Sequence, residues 1–199
     1  MKPWRIILWV LGGLLALLLA ALLYIALIAH VFMFAGDTRP MPADDEMRDH
    51  FLRHEAAYEA IYDIVFEHCP YGYHYPPHDD ADTACLRGID PECRHALDSL
   101  LGGVGCKRIY YAGRAARREQ NEKWGRQRDT TDISITFSYW SRGLSISGTG
   151  KNIVCNPDSG AAVVDDGADL NDLYRGLMRD TTLLKRIRGK WYIELEYDR

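Results

Sequence analysis

The feature that most constrains this chain is an uncharged apolar run near its N-terminus. The 24 residues from Ile6 to Ala29 contain no charged side chain, whereas all 28 Asp and Glu residues lie after the run. About 20 apolar residues are enough to cross the core of a bilayer as a helix. The run therefore predicts one membrane-spanning helix, followed by a part of the chain that folds in water.

The charges that flank the run predict its orientation. Lys2 and Arg5 precede it, and the charged residues that follow are mainly acidic. Because short cytoplasmic segments carry an excess of Lys and Arg, we expect a cytoplasmic N-terminus and an extracytoplasmic C-terminal part. The run exceeds the apolar core of a signal peptide, so we prefer an uncleaved anchor and keep cleavage near Ala35-Gly36 as the alternative. Residues 1–35 are the predicted N-terminus and anchor, 36–43 the linker, and 44–199 one extracytoplasmic domain.

The charge of the exterior part bears on its partners. Without Lys2 and Arg5, 22 Lys and Arg remain against 28 Asp and Glu, which gives a net charge of −6. A negative domain of this kind is not expected to bind nucleic acid.

The cysteines predict disulfides in an oxidising compartment. The chain has five, namely Cys69, Cys85, Cys93, Cys106 and Cys155. Order along the chain suggests the bridges Cys69–Cys85 and Cys93–Cys106, although sequence alone does not fix the pairing. Cys155 lies in an apolar strand, where it is either a buried free thiol or a link between the helices and the sheet.

The segment after the linker predicts the main helix of the domain. Asp44 or Asp45 caps a helix that is expected to run to about His68. Its apolar residues recur at spacings of three, four and seven, which gives one face for packing on a sheet. These residues are Met47, Phe51, Tyr58, Ile61, Tyr62, Val65 and Phe66.

The rest of the chain predicts two short helices and several strands. Helices are expected from Asp90-Pro91 to Gly102-Gly103 and over residues 169–178, and segment 113–128 fits a helix or a hairpin arm. A strand is expected at 107–111, and alternating residues predict another at 133–139. Three hairpins are predicted, with turns at 141–143, 156–160 and 189–190. Helices precede strands, so the fold class is α+β, with an amphipathic helix packed on an antiparallel sheet of hairpins.

Two stretches resemble a known group of proteins. They are I-x-F-x-Y-W-x-x-G-L-x-x-S-G-x-x-K at Ile135–Lys151 and R-x-x-G-K-W-Y-I-E-L-E near the C-terminus. The chain resembles an uncharacterised family of small bacterial envelope proteins, anchored by a membrane helix or a lipid, that end in a Gly-x-Trp-Tyr type strand. The resemblance implies a bacterial envelope protein, with the anchor in the inner membrane and the domain in the periplasm, and it supplies no catalytic residues.

The loop between Cys69 and Cys85 is a candidate metal site. Imidazoles and carboxylates such as His74, His78 and Asp80 are typical ligands of zinc. No standard ligand spacing is present, and the cysteines have a competing use in a disulfide. We therefore favour a polar surface loop without cofactor and keep zinc as the alternative.

Partial catalytic motifs are incomplete. His54-Glu55 is followed by Tyr58 where a zinc protease has its second histidine. The stretch Ser147–Lys151 lacks the earlier glycine of a phosphate loop, so it is expected to be a turn. With no complete catalytic set, the interpretation leans away from an enzyme.

A basic stretch is the best candidate for a contact surface. Eight Lys and Arg lie between Lys107 and Arg128, in a domain that is otherwise acidic. Such a local positive field suits anionic lipid headgroups or an acidic protein, although an ordinary solvated face explains it as well. The candidate residues are Arg114, Arg117, Arg118, Lys123 and Arg126.

These observations favour a membrane protein, anchored through residues 6–29, whose exterior domain binds another protein of the bacterial envelope. An immunity-type inhibitor of an incoming toxin is one concrete version. The alternatives are a metal-binding domain or metal-dependent enzyme that uses loop 68–85, and a structural component of the envelope.

Overall fold

The structure is a computed structural model that describes residues 3–33, 39–77, 84–124, 134–144, 147–157 and 161–198 of the chain. Its helices are α1 (Pro3–Met33), α2 (Asp44–His68), α3 (Pro91–Val104), α4 (Arg114–Trp124) and α5 (Leu170–Tyr174), with a 3-10 helix at Ala84–Gly88. Its strands are β1 (Gly72–Tyr75), β2 (Arg108–Ala112), β3 (Ile135–Leu144), β4 (Ser147–Cys155), β5 (Ala162–Val163), β6 (Thr181–Arg188) and β7 (Trp191–Asp198).

The strands form one seven-stranded sheet in the order β1-β2-β3-β4-β7-β6-β5. Neighbouring strands are antiparallel except for β5, which lies parallel to β6. The α+β class is confirmed, whereas the prediction of a purely antiparallel sheet is wrong at this edge. The expected turn at 156–160 does not join paired strands, because β4 pairs with β3 and β7. Both residues of β5 are exposed, so this short strand has little apolar surface with which to compete for β4.

The hairpin of β3 and β4 is longer than predicted. Residues 141–143, expected to turn, continue β3 and pair with residues 148–150 of β4. The register shifts between Ser138 and Trp140, which is the signature of a bulge. The bulge breaks the simple alternation on which the prediction rested, because Tyr139 and Trp140 both have partners within the domain.

Helix α2 packs its apolar face on the sheet, as predicted. The ring centroid of Trp191 lies 5.1 Å from that of Phe51 and 5.5 Å from that of Tyr58. The ring of Tyr58 also meets that of Phe137 at 4.9 Å. Each such buried side chain contributes roughly 1.5–3 kcal/mol through removal from water, so this aromatic cluster is a main source of stability.

The shorter elements differ from the predictions at their ends. Helix α3 continues through Gly102-Gly103 and stops at Val104, where Gly105 adopts a φ of 61° that favours glycine. Segment 113–128 contains a helix, α4, and the loop after Cys69 contains β1, a strand that was not predicted. Helix α5 covers only the first half of residues 169–178.

One of the two predicted disulfides is present. Cys69 and Cys85 are bonded, as predicted. Cys93 and Cys106 are free thiols, so that pairing is wrong. Cys93 lies in the first turn of α3 and Cys106 follows the end of the helix, so a helical stretch of about 16 Å separates them, well beyond the Cα separation that a disulfide bridges. Cys155 is buried and its thiol is not disulfide-bonded, which agrees with one of its two expected roles.

Helix α1 contains the apolar run. Exposure is described for Trp4 and residues 12–26, and the large apolar side chains there are more than half exposed. Among the described residues, no helix combines the length and apolar character that crossing a membrane requires. Membrane anchoring stays a prediction.

The domain has two distinct ends, because α2 runs along the sheet. We call the end at the start of α2 the Asp44 end; it holds residues 39–44, α5 and the Leu144–Ser147 end of the β3–β4 hairpin. The opposite, α4 end holds the last turns of α2, β1, the disulfide and α4. The 25 residues of α2 separate the two ends by about 37 Å.

A candidate contact surface at the α4 end

Helix α4 is positioned by a close approach of two backbones. The amide of Gly113 donates to the carbonyl of Tyr71 at 3.1 Å, and that of Ala115 donates to the carbonyl of Pro70 at 2.8 Å. A Cβ on Gly113 would stand 2.2 Å from the Pro70 oxygen, so only glycine fits. The segment after α2 therefore fixes where α4 begins.

The predicted basic residues divide into two groups on this helix. Arg114, Arg118 and Lys123 are exposed at their positions on α4. Arg117 is only 6% exposed, so it lies within the fold rather than on the contact surface where it was predicted. Arg126 lies outside the described residues. Of the four candidate cations among the described residues, three are therefore exposed.

Arg114 is held by an aromatic ring. Its guanidinium carbon lies 4.2 Å from the centroid of Phe66, a distance at which cation–π attraction operates. Phe66 in turn stacks on Tyr62, with 5.7 Å between the ring centroids. The end of α2 therefore supports α4 through aromatic side chains, and Arg114 keeps its charge at the surface.

Tyr111 lies beside this helix, and its side chain, including the polar hydroxyl, is buried. Its hydroxyl has no hydrogen-bond partner within the described residues. Burial and the nearby Tyr62 raise the pKa of Tyr111 to about 12, although Arg114 and Arg117 act in the opposite direction. Tyr111 is therefore neutral at physiological pH and does not offset the positive charge of α4.

The edge of the sheet adds exposed aromatic side chains. Tyr71, next to β1, is 71% exposed, and Tyr110 of β2 is 53% exposed. Aromatic residues and arginine are enriched where proteins contact one another. An edge strand and a basic helix thus stand side by side, which is a suitable composition for a protein interface.

Only one of the predicted metal ligands, His74, lies among the described residues. His74 lies on β1, with its ring centroid 4.8 Å from that of Tyr110. His78 and Asp80 lie outside the described residues. Within the described parts, no group of three His, Cys, Asp or Glu side chains is arranged to hold a metal.

A second polar cluster joins α2, α3 and β3. His50 donates from Nε2 to the carbonyl oxygen of Val104 at 2.9 Å, and the Tyr139 hydroxyl donates to the same oxygen at 2.9 Å. The hydroxyl of Tyr58 is hydrogen-bonded to that of Tyr139. Burial lowers the pKa of His50, so the neutral imidazole is favoured. These groups satisfy one another, and the cluster acts as a packing contact.

Cys106 lies close to the same tyrosines. Burial raises the pKa of its thiol to about 12. The thiolate is the reactive form of cysteine, and it is almost absent at neutral pH when the pKa is this high. Cys106 is therefore a core residue and a poor nucleophile.

The Asp44 end contains a buried ionic network that the sequence did not reveal. Asp44 accepts hydrogen bonds from Lys151 at 2.6 Å and from Lys185 at 2.9 Å. The amide of Leu170 donates to the same carboxylate at 3.0 Å. Burial alone would raise the pKa of Asp44, but these three hydrogen bonds lower it overall. The carboxylate is therefore ionised in the folded protein.

Lys151 is completely buried, and all three of its N–H donors are used. They reach the Asp44 carboxylate, the carbonyl of Pro42 at 2.8 Å and the side-chain oxygen of Asn171 at 2.6 Å. Burial holds the pKa of Lys151 below its ordinary value, although the hydrogen bond to Asp44 and the charge of that carboxylate act in the opposite direction. Three acceptors around one nitrogen favour the ammonium form, so the network is ionic.

Comparison with known proteins gives a family. The model of a domain of unknown function, DUF4948, matches residues 40–199. This chain belongs to the DUF4948 family. The expectation of an uncharacterised family is confirmed at that level. No curated protein and no solved structure matches the chain.

The DUF4948 match starts beside Arg39, covers α2 to β7 and leaves α1 outside. The ionic network lies at the start of this domain, and the basic helix at its opposite end. One signal for the network was present in the sequence, because Lys185 stands between Leu183 and Ile187 in the alternation of its strand. A lysine at an inward position requires a buried partner.

Proposed function

We propose that this protein is a single-pass membrane protein of the bacterial envelope whose DUF4948 domain binds another protein through its α4 end. The anchor is supported by the uncharged run Ile6–Ala29 and by the exposure of its large apolar side chains. The bond between Cys69 and Cys85 suits an oxidising compartment outside the cytoplasm. The N-terminus is then cytoplasmic and the domain periplasmic.

The observation that carries the choice of partner is the placement of α4. Residue 39, where the described domain begins, and Arg114, where α4 begins, belong to opposite ends of α2. The 25 residues of α2 span about 37 Å, while charges are screened over about 8 Å at physiological ionic strength. When the Asp44 end faces the anchor, the basic helix lies beyond the field of the lipid headgroups. An acidic protein is therefore a better partner than lipid.

The chemistry of the α4 end fits this role. Arg118 and Lys123 offer exposed positive charge, and Tyr71 and Tyr110 offer exposed aromatic surface. Mixed aromatic and cationic side chains provide most of the energy in many protein interfaces. The rest of the domain is acidic, which discourages contact of an acidic partner elsewhere.

The partner proposal is tested by charge reversal at matched positions. Full-length tagged protein is isolated from native membranes as the wild type, as Arg118→Glu/Lys123→Glu and as Arg53→Glu, which changes an exposed arginine on α2. A stoichiometric protein is expected with the wild type and Arg53→Glu and is expected to be lost from the double variant. The same recovery from all three proteins would contradict the proposal. Purified partner and domain should then bind more weakly as salt is raised.

The anchor is tested separately. The full-length chain is expected to stay in the membrane pellet after alkaline extraction, and protease added outside is expected to digest the domain. A variant without residues 1–35 should appear in the soluble fraction. Extraction of the intact chain by alkali would contradict the anchor. The α4 surface could still be tested in solution with the purified domain, because that test does not depend on the membrane.

A further inference from the structure

Residues 39–44 are fastened to the domain. The indole N–H of Trp140 donates to the carbonyl of Arg39 at 2.9 Å. The carbonyl of Pro42 accepts from Lys151 at 2.8 Å and from the side-chain amide of Asn171 at 3.2 Å. Contacts from β3, β4 and α5 therefore hold most of the segment that the sequence assigned to a linker.

The ionic network makes this attachment rigid. Asp44 is bound by lysines from β4 and β6 and by the amide at the start of α5. These groups are buried, so movement of Asp44 would leave charges without partners in the interior. The direction in which the chain enters α2 is thus fixed, unlike that of a domain on a flexible linker.

Little chain separates this end from α1. Only residues 34–38 lie between Met33 and Arg39. Even a fully extended chain crosses the six steps between those two Cα atoms in about 20 Å. Cα atoms of α1 and β3 also approach within 8 Å of each other. If α1 spans a bilayer, the Asp44 end must lie close to its surface.

The elements at this end can be assigned from the register of the sheet. Arg142 pairs with Thr149, and Thr149 and Thr181 both pair with Tyr197. The ring of Tyr174 lies 5.9 Å from that of Tyr197, which brings the end of α5 to the same place. Segment 175–180 therefore lies beside the Leu144–Ser147 end of the β3–β4 hairpin.

This end exposes apolar and basic side chains together. Met178 is 80% exposed and Leu173 is 39% exposed. Arg142, Arg175 and Arg179 are exposed around them. Such a combination suits the interface of a bilayer, where apolar tips enter the headgroup region and arginines meet anionic lipid.

Acidic groups are also present and limit the charge. Asp172 is paired with Arg175 at 2.9 Å. The other exposed acidic residues at this end include Asp45, Glu46, Asp169, Asp180 and Asp198. The contact is therefore mainly apolar, and the arginines add only a local attraction to anionic lipid.

We propose that Arg142, Leu173, Arg175, Met178 and Arg179 form a bilayer-facing surface that rests on the membrane in which the chain is anchored. This inference rests on the proposed anchor and adds the orientation of the domain. The contact with lipid and the fastened segment 39–44 together fix the orientation of α2, whose first residue lies near the membrane and whose last turns point away from it. Helix α4 then faces the aqueous side. The anchor thereby presents the α4 end to a partner in a defined direction.

The test is photo-crosslinking to lipid in the full-length protein. The chain is reconstituted in vesicles of phosphatidylcholine and phosphatidylglycerol, with benzoylphenylalanine in place of Met178 or of Tyr71. Both positions are highly exposed, but they lie at opposite ends of the domain. Lipid adducts, detected by mass spectrometry, are expected at position 178 and not at position 71. Equal yields at both positions, or no adduct at 178, would overturn the proposal.

Two further measurements separate the causes of failure. Alkaline extraction of the same vesicles shows whether the chain is inserted. An extracted chain overturns the anchor and, with it, the bilayer-facing surface. An inserted chain without adduct at 178 overturns the bilayer-facing surface alone. The variant Arg175→Glu/Arg179→Glu is expected to lower the yield at 178 in vesicles that contain phosphatidylglycerol. An unchanged yield would contradict the role given to the arginines.

Discussion

The two ends of the domain are held together by different kinds of interaction. At the Asp44 end, one carboxylate and two lysines from distant strands meet in the interior. The elements of the α4 end are held together near the surface by a disulfide, by a close backbone approach at Gly113 and by the contact of Arg114 with Phe66. The first end depends on every member of a charged network, and the second on one covalent bond and several weak contacts.

This difference has an energetic reason. A buried charge without its partner keeps its full cost of removal from water, so breaking an ionic network at one point costs more than the net value of the network. A disulfide acts largely by restricting the unfolded chain, and its loss leaves no buried charge behind. The Asp44 end should therefore be the more sensitive to single substitutions.

The largest expected effect is that of Asp44→Ala. The substitution leaves Lys151 and Lys185 buried without a counter-charge, and we expect the free energy of unfolding to fall by about 3–5 kcal/mol. Chemical denaturation of the full-length chain in detergent measures the change. Asp45→Ala, which removes the exposed neighbour, should cost less than about 1 kcal/mol. Equal losses in the two variants would show that the network does not stabilise this end.

The next effect is that of Cys85→Ser. The bond closes a separation of 16 residues, for which the chain-entropy model gives about 3 kcal/mol. Hydrogen exchange should rise mostly in β1 and the first turn of α4. The matched change Cys93→Ser alters a free thiol. It should leave the free energy of unfolding, measured by chemical denaturation, and the hydrogen exchange close to those of the wild type. Increased exchange that is equal at both ends would contradict a local role of the bond.

The dependence on acid separates the two ends further. The pKa of Asp44 is lowered from its ordinary value of 3.8, so its contribution to stability is complete above that value and is lost as pH falls through the lowered pKa. We expect the melting temperature to decline steeply below about pH 4 for the wild type. Asp44→Asn should start lower and decline less. Parallel curves for the two proteins would exclude Asp44 as a cause of the acid sensitivity.

The smallest effect concerns the α4 end. Tyr111→Phe removes a buried hydroxyl that has no partner in the described residues, so we expect stability to rise by up to about 1 kcal/mol. Tyr110→Phe changes its exposed neighbour and should have no measurable effect. A marked loss of stability in Tyr111→Phe, seen by chemical denaturation, would mean that the hydroxyl has a stabilising partner.

The sequence predicted the helices and strands better than it predicted which strands and cysteines pair with one another. The periodicity of α2, the last hairpin and the Cys69–Cys85 bridge depend on neighbouring residues, and each is confirmed. The parallel edge strand β5 and the free thiols of Cys93 and Cys106 depend on which elements meet in space. For the candidate surface, the sequence identified the basic stretch, but only the fold placed Arg117 inside and α4 far from residue 39.

By itself, then, the sequence determined the apolar N-terminal run, the amphipathic helix and the α+β class, because each follows from a local pattern of apolar side chains. Tertiary structure alone decided the ionic network and the placement of the Asp44 end and the α4 end at opposite ends of α2. Asp44 is 107 residues from Lys151 and 141 from Lys185, and no local pattern relates positions so distant. They meet because packing α2 on the sheet encloses all three charges in a low-dielectric interior, where each requires the others.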